Sequence, residues 1–165
     1  MRFLAAAALV ALLGACGPQD PAKNGASSVA APSAAETNAE MQARIAELPA
    51  PYNQASYEAG RRVFAQCRSC HTIGAGEGNR VGPNLHGVFG REIGTAQGFT
   101  YSDAVANANF VWDAAQLDHW LSNPSTFLPG NRMAFAGVRD ETQRRDVIAF
   151  LMVETDPDEG TPPAP

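Results

Sequence analysis

Apolar positions recur at helical spacing in three stretches of the chain and show no convincing two-residue alternation of the kind a strand requires. Between Asn53 and Gln66, Tyr57, Gly60 and Phe64 fall along one side of a helix that delivers the chain to Cys67. A second helix is predicted from Asp113, where Asp-Ala-Ala-Gln at 113–116 fits a capping box, to just before Pro124. A third starts at Asp140 on a similar box, Asp-Glu-Thr-Gln, and turns Val147, Ile148, Phe150 and Leu151 toward a core. A short helix is expected near Ser102–Asn107. The 72–100 segment is crowded with glycine and must be loop, and a loop that long in a small body needs something to wrap around. The pattern predicts an all-α domain over residues 53–154.

Outside those limits the chain changes character. From Gly17 to about Pro51 it is rich in Ala, Pro, Ser, Asn and Gly and has little to bury, so residues 16–52 are read as a flexible linker. A coil of that length reaches roughly 30–35 Å. Within it, Met41, Ile45 and Leu48 share a helical face that Pro49 stops, which suits a spacer or a weak docking contact. Residues 155–165, acidic and proline-rich, are expected to be a disordered tail.

The 165 residues carry a net charge of −5, from 17 acidic and 12 basic side chains, which argues against a general nucleic-acid binder. Lys23 is the only lysine among those 12, the rest being arginine. The count of 3 cysteines is odd, so at least one lies outside any internal pair.

The N-terminus accounts for that one. Arg2 precedes an apolar run from Phe3 to Leu13, too short to span a bilayer comfortably, so residues 1–15 read as a signal peptide. The run ends in Leu13-Gly14-Ala15-Cys16, which resembles the lipobox of bacterial lipoproteins, a family in which the peptide is cut before a cysteine that carries lipid. The resemblance implies lipidation of Cys16 and a domain held at the periplasmic side of a membrane. An ordinary signal peptide giving a soluble periplasmic protein, or an uncleaved signal anchor, are the alternatives.

Cys67-Arg68-Ser69-Cys70-His71 carries the chemistry. A dithiol oxidoreductase places its C-x-x-C after a strand at the start of a helix, whereas a helix precedes Cys67 here. Zinc sites usually need four ligands, and the domain has no second cysteine pair; the spacing of His86 and His119 does not suggest that they join. Covalent haem attachment is the remaining option: both thiols add to the vinyl groups and the adjacent histidine takes an axial position. Met133 is the best candidate for the sixth ligand, on a loop opened by Pro129-Gly130, although a methionine among apolar neighbours is also ordinary core. Met152 on the last helix and Met41 in the linker read as packing or surface residues.

The stretch CRSCHTIGAGEGNRVGPNLHGVFGREIGTAQGFTYSDA closely resembles class I cytochrome c of the mitochondrial type, and NPSTFLPGNRMAFAGV resembles the methionine-ligand loop of the same family. The likeness spans residues 56–153 and leaves out the linker and tail. It implies the class I cytochrome c fold, with one haem c on Cys67 and Cys70 and with His71 and Met133 on the iron. It further implies that the Pro83 carbonyl orients His71, that Arg91, Tyr101 and Trp112 surround the haem propionates, and that Gly60, Phe64 and Phe150 form the contact of first and last helices. Taken alone, Trp112 reads as core and Arg91 as surface. The sequence departs from the family at Val105, where asparagine is common, and at Trp120, where tyrosine is common, which bears on tuning rather than ligation. The stretch before Cys67 is one residue shorter.

The resemblance implies a one-electron carrier, not an enzyme, with membrane-bound respiratory partners: a cytochrome bc complex as donor and a haem–copper oxidase as acceptor. Docking through a local basic patch would fall to Arg68, Arg80 and Arg132, with Arg61 and Arg62 nearby, unless these are simply a solvated mixed surface. A monomer is expected. Loss of Met133 would open a peroxidase or ligand-sensing site, and a single periplasmic dehydrogenase as donor would use the same carrier chemistry.

Overall fold

The structure, a computed structural model, describes residues 34–156. Among the described residues six helices appear in order: α1 Ala34–Ala46, α2 Tyr57–Phe64, α3 Asp103–Ala106, α4 Ala114–Ser122, α5 Pro124–Phe127 and α6 Glu141–Glu154, with a 3-10 turn at Tyr52–Gln54. Among the described residues there is no strand, only an isolated antiparallel bridge between Glu92 and Val111. The signal-peptide run, Cys16 and the end of the tail lie outside the described residues. No described helix is long and apolar enough to cross a membrane.

The centre of the body is the crossing of α2 and α6. Helix α6 is buried from Asp146 to Val153, and Phe150 meets Tyr57 and Phe64 at ring separations of 5.4 and 5.2 Å. Gly60 makes the close approach: a β-carbon there would run into the Asp146 carbonyl and come within 2.7 Å of the Phe150 β-carbon. The crossing expected from Gly60, Phe64 and Phe150 is therefore present, and sterics explain the glycine. Asp146, itself buried, accepts the Ser56 N–H at 3.0 Å and so fixes the entry to α2.

The caps behave as the sequence predicts. Asp113 accepts Gln116 N–H at 2.7 Å and Asp140 accepts Gln143 N–H at 2.8 Å, each satisfying a donor that a helix start leaves over. Helix α4 stops before Pro124 as expected, and Pro124 opens α5 at its first turn, where a missing N–H costs nothing. Three boundaries differ. The helix expected over Asn53–Gln66 is broken at extended Ala55, and Ser56 caps a shorter α2 by accepting Ala59 N–H. Part of the stretch read as linker is helical and packed. Met41, Ile45 and Leu48 lie against the core, with Ile45 fully buried and Leu48 buried, because three apolar side chains at helical spacing can be covered by α2 and α6. Thr155, assigned to the tail, is also buried: its hydroxyl donates to Leu151 O and its carbonyl accepts Gly87 N–H at 2.7 Å.

Candidate functional site

Beyond Phe64 the chain keeps winding. Cys67 N–H bonds Phe64 O at 2.8 Å, Cys70 N–H bonds Cys67 O at 3.0 Å and His71 N–H bonds Cys67 O at 2.9 Å. Positions i, i+3 and i+4 of such a turn share a face, so both sulfurs and the imidazole are gathered on one side. The two thiols are not joined. Burial, and next the neighbouring Cys70, push the Cys67 thiol up to about 11, the opposite of what a redox dithiol or thiolate metal site needs. Among the described residues no group of three or more His, Cys, Asp or Glu side chains is placed to hold a metal ion.

His71 Nδ1 lies 2.8 Å from the Pro83 carbonyl, which only accepts, so Nδ1 carries the proton and Nε2 keeps a lone pair free for a ligand bond. Burial lowers the pKa of His71, the Pro83 bond acting against it, so the neutral ligand form is favoured. Behind the ring stands Gly82, where a β-carbon would collide with the imidazole.

Met133 sits half-buried against the same core cluster as Cys67. Asn131 fixes its loop. The Asn131 amide donates to Pro124 O and Leu128 O, both at 2.8 Å, and its side-chain oxygen accepts Met133 N–H at 2.8 Å. Gly130 supplies the turn with φ +89°, a left-handed value suited to glycine.

Arg91 and Trp112 are brought together by the backbone: Trp112 N–H bonds Arg91 O at 2.9 Å and Gly90 N–H bonds Trp112 O at 2.8 Å. The Arg91 guanidinium is half-buried and donates only to the carbonyls of His86 and Asn84, with no carboxylate partner among the described residues. Burial lowers its pKa, against the nearby Tyr101. The Tyr101 hydroxyl accepts Ala96 N–H at 3.3 Å, and the ring stands edge-on to Phe99. A half-buried cation without a counter-charge fits an anionic group supplied by a ligand.

Two contributors escaped the sequence reading. The Ser102 hydroxyl is fully buried with no hydrogen-bond partner, although Ser102 occupies the cap position of α3. A serine at a helix start reads as an ordinary cap, so no sequence signal marked it. Asn84 donates to Thr72 Oγ1 and Gly74 O and accepts His86 N–H, tying the loop after His71 to the one that carries Arg91. Val105 and Trp120, the family departures, are both buried, and Trp120 packs edge-on to Trp112 and Phe127.

Arg68, Arg80 and Arg132 are exposed, and none enters an ion pair among the described residues. Arg80 donates to the Arg68 carbonyl at 2.9 Å, which places it on the cysteine turn, and Arg132 donates to Thr100 O at 3.0 Å beside Met133. Arg61 and Arg62 instead pair with Glu58 at 2.9 and 3.5 Å, so their charge is partly answered. A separate cavity of about 380 Å³, lined by Tyr52, Asp118, His119, Glu141 and Arg145 among others, includes none of the expected site residues.

Two unpaired thiols and a neutral, oriented imidazole on one turn, with an unanswered guanidinium and an orphan hydroxyl nearby, define a protein that fits a covalently held haem. The comparisons agree. The Cytochrome c family model matches residues 57–153, and the chain belongs to that family, whose members are haem-containing electron carriers rather than enzymes and bind haem c covalently through its vinyl groups. Cytochrome c of Kluyveromyces lactis is 42% identical over 106 residues, 64% of this chain and 96% of that protein. Cytochrome c2 of Blastochloris viridis is 42% identical over 107 residues, 65% of this chain and 84% of that one. Among solved structures, cytochrome cH from Methylobacterium extorquens superposes with a TM-score of 0.54 at 41% identity, covering 58% of this chain and 95% of that one. The mostly helical arrangement is the class I cytochrome c fold.

Proposed function

We propose that Cys67 and Cys70 would bind the haem through thioethers, that His71 and Met133 would ligate its iron, and that the loaded protein would pass single electrons between membrane-bound respiratory complexes. The observation that carries this reading is the 2.8 Å contact from His71 Nδ1 to the Pro83 carbonyl, which leaves Nε2 as the free donor on the turn that holds both thiols. Held in this way, the haem would supply one-electron chemistry, and a methionine ligand to its iron would raise the potential. The chain's own residues orient and shield. Pro83 and Gly82 hold the imidazole from two sides, Asn131 fixes the Met133 loop, and Arg91 with Tyr101, Trp112 and Ser102 offers charge and donors for the haem carboxylates.

The proposed donor is a quinol-oxidising cytochrome bc complex and the acceptor a haem–copper oxidase, met through Arg68, Arg80 and Arg132. Cys16 is proposed to carry lipid and to keep the domain at the periplasmic side of the membrane, where confinement raises the local concentration of carrier near its partners.

Absorption spectra of the natively matured protein test the haem reading. Sharp ferrous c-type bands with the weak long-wavelength ferric band of methionine sulfur are expected; the absence of that band would remove Met133 as ligand. Mass spectrometry of the mature N-terminus tests the anchor. A diacylated Cys16 is expected, whereas an unmodified terminus or an intact leader would replace it by a soluble form or a signal anchor.

A further inference from the structure

Helix α1 precedes the part of the chain matched by the family, which begins at residue 57, yet it is tied into the body. Ile45 is 0% exposed and Leu48 5%, with Met41 packed on the same cluster. Gln42 spans the bend that opens α2: its amide donates to Ala55 O at 3.0 Å and its oxygen accepts Tyr57 N–H at 2.8 Å. Asn38 donates to Glu58 at 3.2 Å, and Arg44 lies 4.0 Å from Asp156. These polar contacts fall at the start of α2 or just past the end of α6. The cysteine turn follows the other end of α2, a rise of about 10 Å along the helix axis.

We propose that α1 is a strap: an extension outside the span matched by the family that clamps the start of α2 to the end of α6, at the end of α2 remote from Cys67, and that Ile45 and Leu48 hold it there in solution.

The strap is tested on the haem-loaded Cys16→Ser protein without lipid, so that its failure is separate from failure of the anchor. A fluorophore on Ala39→Cys, an exposed position of α1, reports distance through quenching by the haem. One narrow distance distribution is expected, with amides of residues 38–48 exchanging about a hundredfold or more slower than in a free peptide. Ile45→Asp with Leu48→Asp should broaden the distribution and abolish the protection while the haem spectrum stays unchanged. Gln42→Ala, a milder change, should weaken the protection in part. A broad distribution or free-peptide exchange in the parent protein overturns the strap, as does a double variant that keeps the parent's distances.

Discussion

Gly82 and His71 are in contact: a β-carbon on Gly82 would lie 2.8 Å from both Nδ1 and Nε2 of the imidazole and closer still to the carbon between them. The glycine cannot retreat. Its N–H is held by Cys70 O at 2.8 Å and its carbonyl by Arg80 N–H at 2.9 Å. Gly82→Ala is therefore expected to tilt or displace the ring, break the bond to Pro83, and destabilise the loaded protein by about 1–3 kcal/mol. Guanidinium unfolding gives the stability, and the visible spectrum reports the iron environment. Parent-like values in both would mean that the backbone gives way more easily than these hydrogen bonds indicate.

Tyr57 donates to Glu154 at 2.6 Å, joining the start of α2 to the end of α6. Burial first, then the Glu154 hydrogen bond and charge, raise the tyrosine pKa above its ordinary value. An acid whose pKa is raised by folding contributes stability that is fully present below its unfolded pKa, about 10, and is lost as pH rises beyond it. Stability should thus decline above pH about 10 with a steeper proton dependence than in Tyr57→Phe, the difference amounting to roughly one proton. At neutral pH the same variant should lose about 1–2 kcal/mol through the missing hydrogen bond. Equal alkaline slopes in parent and variant would contradict this account.

How far the sequence foretold these features depends on whether a residue acts locally or across the fold. Asp113, Asp140 and the C-x-x-C-H turn act within a few positions, and the structure places all of them as their spacing implies. Met133 stood out from its Pro-Gly loop, whereas Pro83 was read from family likeness alone, since no local rule ties a proline carbonyl to a histidine 12 positions earlier. Strap residues Ile45 and Leu48 were visible as a helical face, but the alanine-rich surroundings made that face read as linker. What covers it is distant in sequence: α6 lies about a hundred residues on, and Gln42 bonds to backbone groups that any sequence would offer. Ser102 was illegible because its identity fits a cap and only three-dimensional burial shows that it caps nothing.

Ser102 leads to a prediction whose sign discriminates. A buried hydroxyl without a partner is destabilising, so Ser102→Ala would stabilise the protein if the hydroxyl remained an orphan when haem is bound. If a haem carboxylate accepts its hydrogen bond, the same change should cost about 0.5–1.5 kcal/mol and shift the reduction potential, while Ser102→Thr retains parent behaviour. The second outcome is expected, because Arg91 also points to an anion that the described residues do not supply. Denaturant titration and redox titration of the three proteins decide it.

The docking surface gives the last prediction, and its chemistry is set by the choice of basic residue. Arg68, Arg80 and Arg132 are exposed, unpaired with any carboxylate among the described residues and close to the cysteine turn or to Met133, whereas the only lysine, Lys23, lies outside the described residues. The neighbouring Arg61 and Arg62 share Glu58 and should matter less. Replacing the three exposed arginines by glutamine should lower the bimolecular rate with an acidic redox partner about tenfold or more at low ionic strength. The deficit should shrink as salt rises, since the screening length falls to about 3 Å at 1 M. Acylating lysine should leave the rate unchanged, while an arginine-selective dicarbonyl reagent should reproduce the triple variant. Stopped-flow rates across a salt series separate charge steering from a structural fault: a loss that persists undiminished at high salt would place these arginines in the fold rather than in recognition.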